Sequence, residues 1–494
     1  MSSSNAYSKG ARWWLLITII AIAVLASIWI WTSEAGQRQE KVFQAVFVAI
    51  ISLFLSLCWL LIFSRLKWRI RFISFGGILL AILLCIALFR IRGFTGDLVP
   101  ILEWRWSSTS GEPTVTDHEA VSGILAIDYP QFLGPNRNAT LHGINLARDW
   151  SIRPPRLIWR QPIGEGWSAF AVVGNSAITQ AQEGENENVV CYDLTTGELQ
   201  WSHSDFARFE VAPAGIGPRA TPTIAGDRVY TLGATGLLNC LDFVTGKPIW
   251  STDIINNNKS RVTDWGMSGS PLVTKNAVIV SAGGTDGSSL VAYHKDTGEI
   301  VWRGGDDPSG YSSPQLRTLA GIPQILIFNY KSVVSHDPNT GHPLWRYAWP
   351  SAESVAQPVP LPGDQLLVSS GYGIGSKLFQ IQRSIGGKLQ AHVLWESRGL
   401  KAKFTNVVYR HGYVYGLDDG ILVCIDISNG KRTWKRGRYG HGQIILVDDL
   451  LLVQAESGDV VMLEVNPTSH VELGSFPALA GRTWNNSTLA APYL

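Results

Sequence analysis

A charge excess of either sign is missing: over 494 residues the formal net charge is only +2. The chain therefore lacks the electrostatic footprint that nucleic-acid binding requires, and that partner class is excluded. Cysteine is scarce, five in all, and no two are adjacent. The ten histidines form no H-E-x-x-H or other close metal-binding pair. The GMSGS stretch around Ser268 lacks the spacing of a nucleophile elbow. Long charge-free runs are also missing, except within about the first ninety positions. What is abundant is aromatic and turn-forming: 20 Trp and 49 Gly suit an all-β protein of short strands and tight turns.

The N-terminal ninety residues obey different physics. WWLLITIIAIAVLASIWIWT, from Trp13 to Thr32, is twenty residues without a charge and carries Trp at both ends. That is enough to cross a hydrocarbon core of roughly 30 Å, with indoles where the membrane interface selects them. A second run lies between Val42 and Phe63 and a third between Ile73 and Phe89. Three transmembrane helices are expected. The competing reading of the first run, a signal peptide cleaved after Ser33, Glu34 and Ala35, fits less well because the run is long and a second follows at once.

Lys9 and Arg12 precede the first run; Arg65, Lys67, Arg69 and Arg71 follow the second. Arg38 and Lys41 in the first loop are offset by Glu34 and Glu40. The positive-inside rule then puts the N-terminus inside and the rest of the chain outside the cytoplasmic (inner) membrane, although Arg90 and Arg92 pull the other way. Residues 93–127, with their SSTSGEPTVTD stretch, read as a linker between an anchor (1–92) and a globular domain (128–494).

In that domain one unit recurs: an apolar strand, Asp, a turn with Thr-Gly or Asn-Gly, then alternating residues ending in Trp. CYDLTTGELQW, CLDFVTGKPIW and CIDISNGKRTW are its best copies; AYHKDTGEIVW and SHDPNTGHPLW alter the entry to the turn. Trp159, Trp201, Trp250, Trp302, Trp345, Trp395 and Trp434 are separated by 42, 49, 52, 43, 50 and 39 residues, one four-stranded blade per interval. Strand-period alternation between Gly-marked turns excludes a helical solenoid. Each Trp is expected to dock between neighbouring blades.

This Asp, Thr-Gly and Trp combination resembles the tryptophan-docking repeat of the PQQ-like β-propellers, a superfamily that holds quinoprotein dehydrogenases and the assembly lipoprotein BamB. The likeness runs from about Tyr129 to the end. YPQFLGPNRN, GPRATPTI, WGMSGSPLV, LKAKFTNVV and GRYGHGQ are similar to membrane-anchored bacterial members. The fold expected is an all-β propeller after three helices. Blades end near the six Trp from Trp201 to Trp434 and around Phe476, and RTWNNSTLAAPYL starts an eighth, short one. Trp159 is expected to supply the outermost strand of the closing blade, whose inner strands come last in sequence.

For active quinoproteins the resemblance implies an adjacent cysteine pair over the quinone, acidic and amide ligands to Ca²⁺, and a carboxylate base. The adjacent pair is missing. Cys191, Cys240 and Cys424 share one repeat slot, which Ala292 fills in another blade, so they read as small buried strand residues too far apart for a disulfide. GYGIGS at positions 371–376 reads as a glycine-rich strand connection, since no helix follows it. Asp306 with Asp307, and Asp418 with Asp419, read as solvated loop carboxylates.

The residues leading into each innermost strand line one channel mouth: Trp167 and Ser168, Arg219 and Thr221, Trp265 and Ser268, Tyr311 and Ser312, Lys403 and Asn406, His441 and Gln443, and Trp484, Asn485 and Asn486. Aromatic faces mixed with hydrogen-bonding groups suit a polar ligand or peptide, or else satisfy one another. The leading expectation is a non-catalytic, membrane-tethered binding or scaffold module with an envelope protein or peptide as partner and no cofactor or metal. The alternatives are a PQQ-dependent oxidoreductase using Ca²⁺, with the quinone stacked near Trp265 or Trp484, and a small-ligand sensor, which the lack of an output domain disfavours.

Overall fold

The computed structural model describes residues 12–33, 38–106, 115–116, 126–212, 214–351 and 353–494. The chain divides into two compact units, Met1–Thr109 and Ser110–Leu494.

Among its described residues the first unit holds three helices, Trp13–Thr32, Arg38–Cys58 continuing through a π-helical turn at Trp59–Phe63, and Trp68–Leu88. Each is long and apolar enough to cross a membrane. Ile17, Leu25, Phe47, Phe54, Leu80 and Leu83 all point outward. An apolar exterior of this kind suits lipid. The Trp59 indole N–H donates to the Arg12 carbonyl at 2.9 Å, and the Trp13 and Trp59 rings lie 5.3 Å apart. The third helix starts earlier than its apolar run because Trp68, Arg69, Ile70 and Arg71 continue the helical path; Arg71 reaches back to the carbonyls of Leu61 and Leu66.

The linker expectation needs correcting at its start. Phe89–Phe94 pairs antiparallel with Pro100–Trp104, forming a hairpin where residues 93–104 were expected to be irregular. Alternation over so few residues is a weak signal beside the adjoining apolar run. The SSTSGEPTVTD stretch lies almost entirely outside the described residues; its Val115–Thr116 forms a short strand.

Among its described residues the second unit contains seven four-stranded antiparallel blades, spanning residues 171–206, 223–253, 272–304, 315–348, 359–397, 408–438 and 443–477. They are numbered 1 to 7 below. In each, the first strand is innermost and the strands follow in order outward, as in Thr223–Ala225, Arg228–Leu232, Leu237–Asp242 and Pro248–Asp253 of blade 2. The core is the set of apolar layers between blades, for example Tyr230, Leu238 and Cys240 against Val278, Val291 and Tyr293. Such interlocked faces leave few unpaired strand edges.

The eighth position is filled, but not by four strands. Trp159–Arg160 pairs with Val115–Thr116, not with the C-terminal tail. Blade 7 instead draws all four of its own strands from one local stretch, with Thr140–Leu141 added parallel to its inner strand. The tail bridges blades 7 and 1: Gln443 donates to the Trp484 carbonyl at 3.1 Å, Asn485 to Ser168 at 2.8 Å, and Thr488 to Phe170 at 2.7 Å. Its only described bridge, Ala490 with Tyr493, is too short to make a blade.

Candidate functional site

Because strands alternate in direction, one end of the ring collects the loops that enter the inner strands together with the turns between second and third strands. The other end collects the Asp-x-x-Thr-Gly turns. At that end the repeat explains itself. The Asp242 carboxylate accepts from the Thr245 amide and hydroxyl at 2.8 and 2.7 Å, and these bonds hold its pKa below the ordinary value.

The indole N–H of Trp201 donates to Phe243, Trp250 to Lys295, Trp302 to Pro338, Trp395 to Ile427 and Trp434 to Asn466, each a backbone carbonyl of the next blade at 2.8 to 3.2 Å. Trp159 docks likewise on blade 1, at 2.7 Å from the Leu194 carbonyl. It thus performs the docking expected of it without the expected strand partner. Trp345 departs from the pattern and donates to Gln324 in its own blade at 2.8 Å. The cysteine slot is the strand partner of the docking Trp: Cys191 faces Trp201, Cys240 faces Trp250, Ala292 faces Trp302 and Cys424 faces Trp434. In these four blades a small side chain sits beside the indole, whereas Leu378 faces Trp395 in blade 5; all three cysteines are buried and unbridged. Burial pushes the Cys191 thiol up to about 11, so it stays protonated and unreactive.

Residues 127–141 lie across the channel at this same end. Tyr129 pairs with Val172 of blade 1, the Ile224 amide of blade 2 donates to Pro130, and Arg137 donates to Ser270 and Pro271 beside blade 3 at 2.9 and 3.0 Å. Arg317 of blade 4 donates to the Asn136 carbonyl at 2.5 Å, and Leu446 of blade 7 to Ala139 at 2.8 Å. The YPQFLGPNRN stretch is therefore a floor built across the ring, with Leu133, Arg137 and Ala139 held at positive φ.

At the opposite mouth the polar residues singled out in the sequence mostly stitch blades together. The Thr221 amide donates to Ser270, the Ser270 amide to Ser313 and the Ser313 amide to Gln357, at 2.9, 2.9 and 3.1 Å. Asn406 exchanges two bonds with Ile444, and Gln443 donates to Phe404. Ser312 serves Phe328 and Ser268 serves the Tyr311 carbonyl.

The aromatic and cationic residues are arranged differently. Trp265 and Tyr311 stack with centroids 4.9 Å apart, Tyr372 lies 6.2 Å from Trp265, and the Lys403 ammonium sits 5.0 Å over Tyr372. Burial raises the pKa of both tyrosines, Tyr311 to about 12, so both are neutral hydrogen-bond donors. A second group joins Trp167 and Trp484 at 4.8 Å, Phe404 at 5.0 Å from Trp484 and from His441, and the Arg482 guanidinium at 4.3 Å over Trp484. Glu456 fixes this group by accepting from the Trp484 indole at 2.9 Å and the His441 amide at 3.0 Å. Arg219 lies 4.6 Å over Phe209, and burial lowers its pKa to about 10, still a full positive charge.

Tyr372, Phe404, Glu456, Arg482 and Phe209 were not among the candidate residues. Tyr372 belongs to GYGIGS, which is indeed a strand connection, between Gln365–Ser370 and Gly375–Arg383. Such connections share the mouth with the inter-blade loops, a consequence of strand parity readable from the repeat.

Both indoles named for a stacked quinone in the alternative reading already carry ring or cation partners. Trp265 already carries Tyr311 on its face, and Trp484 carries Arg482 and Trp167. In each acidic pair one member is not a solvated loop carboxylate, while Asp306 is exposed and Asp419 half-buried. Asp307 is bound by Arg346 at 2.6 Å, and the fully buried Asp418 by Lys401 and Lys435. Among the described residues no three His, Cys, Asp or Glu side chains converge as metal ligands.

The family profile described as outer membrane protein assembly factor BamB matches residues 185–436 and 331–467, more than half of the chain. The chain belongs to this PQQ-like, BamB-type β-propeller repeat family. It is 36% identical over 141 residues to quinohemoprotein alcohol dehydrogenase ADH IIB of Pseudomonas putida, covering 27% of this chain and 20% of that one. It is 27% identical over 129 residues to the dehydrogenase subunit of the quinone alcohol dehydrogenase of Komagataeibacter europaeus, covering 25% and 18%. The chain thus spans about a fifth of these relatives. The crystal structure of quinohemoprotein alcohol dehydrogenase from Comamonas testosteroni matches with a TM-score of 0.52 at 14% identity, over 72% of this chain and 74% of that one, a likeness of fold. BamB from Moraxella catarrhalis gives 0.44 at 18% identity, over 63% and 86%.

Proposed function

We propose that this protein is a non-catalytic, membrane-tethered binding module of the bacterial cell envelope, whose mouth takes a segment of a partner protein. The observation that carries this reading is the division of labour at the mouth. Its polar side chains largely make inter-blade hydrogen bonds, and half-buried aromatic faces there carry the cations Lys403, Arg482 and Arg219, the last also bonded to the carbonyls of Ala214, Gly215 and Gly217. Aromatic faces with attached cations recognise peptide segments bearing aromatic and carboxylate side chains. The floor at residues 127–141 makes the channel a cup entered from that mouth.

Charge at the helix ends supports export of the propeller. Lys9, Arg12, Arg65, Lys67, Arg69 and Arg71 have no acidic residue near them in sequence. At the other end Arg38 pairs with Asp97, and Arg90 and Arg92 pair with Glu103. Lys9, Arg12, Arg65, Lys67, Arg69 and Arg71 outnumber Arg38, Lys41, Arg90, Arg92 and Arg105 at the other end, and the richer end is read as the inner one.

Crosslinking with mass spectrometry on intact envelopes, using the full chain and a Trp265→Ala, Tyr372→Ala variant, tests the proposal. A reproducible partner crosslinked at the mouth and lost in the variant is expected. The second reading, a PQQ-dependent oxidoreductase, draws on the 36% identity to the Pseudomonas putida quinohemoprotein. Stoichiometric quinone uptake with Ca²⁺, seen by absorbance, with alcohol- or sugar-dependent dye reduction would replace the binding-module reading.

A further inference from the structure

The hairpin that follows the third helix has two chemically opposite faces. Paired residues on antiparallel strands share a face. Phe89 pairs with Trp104 and Ile91 with Leu102, giving one apolar row. The Phe89 and Trp104 rings meet edge-on at 5.4 Å, and Trp106 extends the row at 5.6 Å from Trp104. Ile91 and Leu102 are 57% and 62% exposed. The alternate row is ionic: Arg90 pairs with Glu103 at 3.0 Å, and Arg92 reaches the same carboxylate at 3.8 Å.

A two-stranded hairpin showing such a face to water is marginal at best, so something covers it. Its attachment says what. The Arg105 amide donates to the Leu88 carbonyl at 2.7 Å and its guanidinium to Ile86 at 3.1 Å, which clamps the hairpin base on the last turn of the third helix. At the tip, Asp97 pairs with Arg38, the first residue of the second helix, at 3.0 Å. The end of the third helix and the start of the second lie on one side of the bundle, so the hairpin crosses the helix ends laterally. A lateral strip continuous with a membrane helix, aromatic and aliphatic on one face and Arg/Glu on the other, has the composition of the lipid interface.

We infer that this hairpin is an interfacial anchor: its Phe89, Ile91, Leu102 and Trp104 row is sunk into the headgroup and upper acyl layer of the bilayer, while Arg90, Arg92 and Glu103 face water. The inference rests on the reading of the three helices as membrane spans. It gives the anchor a rigid exit, fixing the chain at the membrane surface before it continues toward the propeller.

The test uses the full chain in vesicles of phosphatidylcholine and phosphatidylglycerol, with Cys58 and Cys85 changed to Ala, and spin labels placed singly at Leu102→Cys, Ile91→Cys, Glu103→Cys or Leu80→Cys. Leu80, on the outer surface of the third helix, reports the span itself. The expected result is a deep label at 80, labels at 102 and 91 with a several-fold higher oxygen-to-nickel-chelate collision ratio than at 103, and a nickel-accessible label at 103. Equal nickel access at 102, 91 and 103 with 80 still deep overturns the inference alone. Labels at 102 and 91 shielded from both reagents mean that protein covers the face, and overturn it too. A nickel-accessible label at 80 removes the membrane reading and the inference with it.

Discussion

Trp201 of blade 1 lies flat against Gly246 of blade 2: a methyl group built on that glycine would come within 2.3 Å of the indole ring. The same approach recurs at Trp159 with Gly197, Trp250 with Gly298, Trp302 with Gly341 and Trp395 with Gly430. The glycine has two jobs, since its φ of 67° also lies in the left-handed region. Gly246→Ala therefore combines a backbone cost of about 1–2 kcal/mol with an overpacking cost of about 1–3 kcal/mol. Gly226→Ala has the same backbone conformation at φ 62° but open space around it. Denaturant titration of both variants separates the terms: Gly226→Ala should lose only the first, and equal losses would show that the docked ring yields freely.

Trp345 breaks this pattern: the corresponding turn of blade 5, at Ser384 to Gly387, has neither the Asp-x-x-Thr-Gly sequence nor the Asn that opens the blade 7 turn where Trp434 docks. Its indole turns instead to the Gln324 side-chain oxygen at 2.8 Å, which also accepts from the Ser335 hydroxyl at 2.6 Å. Both donors are buried. Gln324→Leu strips two buried donors of one acceptor, at about 1–3 kcal/mol each. Gln324→Glu keeps the acceptor and buries a charge. Urea unfolding should rank wild type above both variants; a neutral Gln324→Leu would mean that water replaces the amide.

The blades were legible because their signal is covalent in spacing: Asp, Thr-Gly and Trp recur in register, and each has one physical job. Trp159 was readable as a docking residue but not as the partner of Val115–Thr116, since a strand two residues long carries no periodicity. The mouth was half legible. Inter-blade loops follow from the repeat, whereas Tyr372 and Glu456 sit on turns whose sequences vary freely, and Arg482 lies in an irregular tail. The floor escaped notice because its buried residues, Tyr129, Leu133 and Arg137, alternate with nothing.

Glu187 gives the propeller a pH-dependent stability. It is buried between blades 1 and 2, and desolvation raises its pKa to about 7 despite a bond from the Ala234 amide at 3.0 Å; the Asp205 charge adds to the rise. The unfolded chain releases this proton near 4.5, so between that pH and about 7 the folded state holds a proton the unfolded state does not. Stability then falls with rising pH, by at most about 3 kcal/mol across the window. Chemical denaturation of wild type and Glu187→Gln at pH 4.5, 6 and 8 should show the wild type losing ground relative to the variant as pH rises. A constant difference would mean that the carboxyl is ionised throughout.

Arg137 decides whether the floor holds. Its guanidinium is wholly enclosed, and burial together with the neighbouring Arg317 charge lowers its pKa to about 9, so it remains charged at neutral pH, with no carboxylate paired to it among the described residues. Three oxygens compensate it: the Gln131 side chain at 3.1 Å and the carbonyls of Pro271 and Ser270. Removing the charge relieves its desolvation cost, while removing the donors frees the loop from blade 3. Charge-assisted bonds contribute about 1.5–3 kcal/mol each, and the two carbonyls they leave are buried, so the second effect should win. Arg137→Ala is expected to cost about 2–4 kcal/mol and to open residues 127–141 to chymotrypsin at Phe132 and Leu133, with blades 2 to 6 still resistant. Arg137→Met, which keeps the length without the donors, should behave similarly. Protection of Phe132 in both variants would show that the strand pairings of Tyr129 and Leu141 hold the floor by themselves.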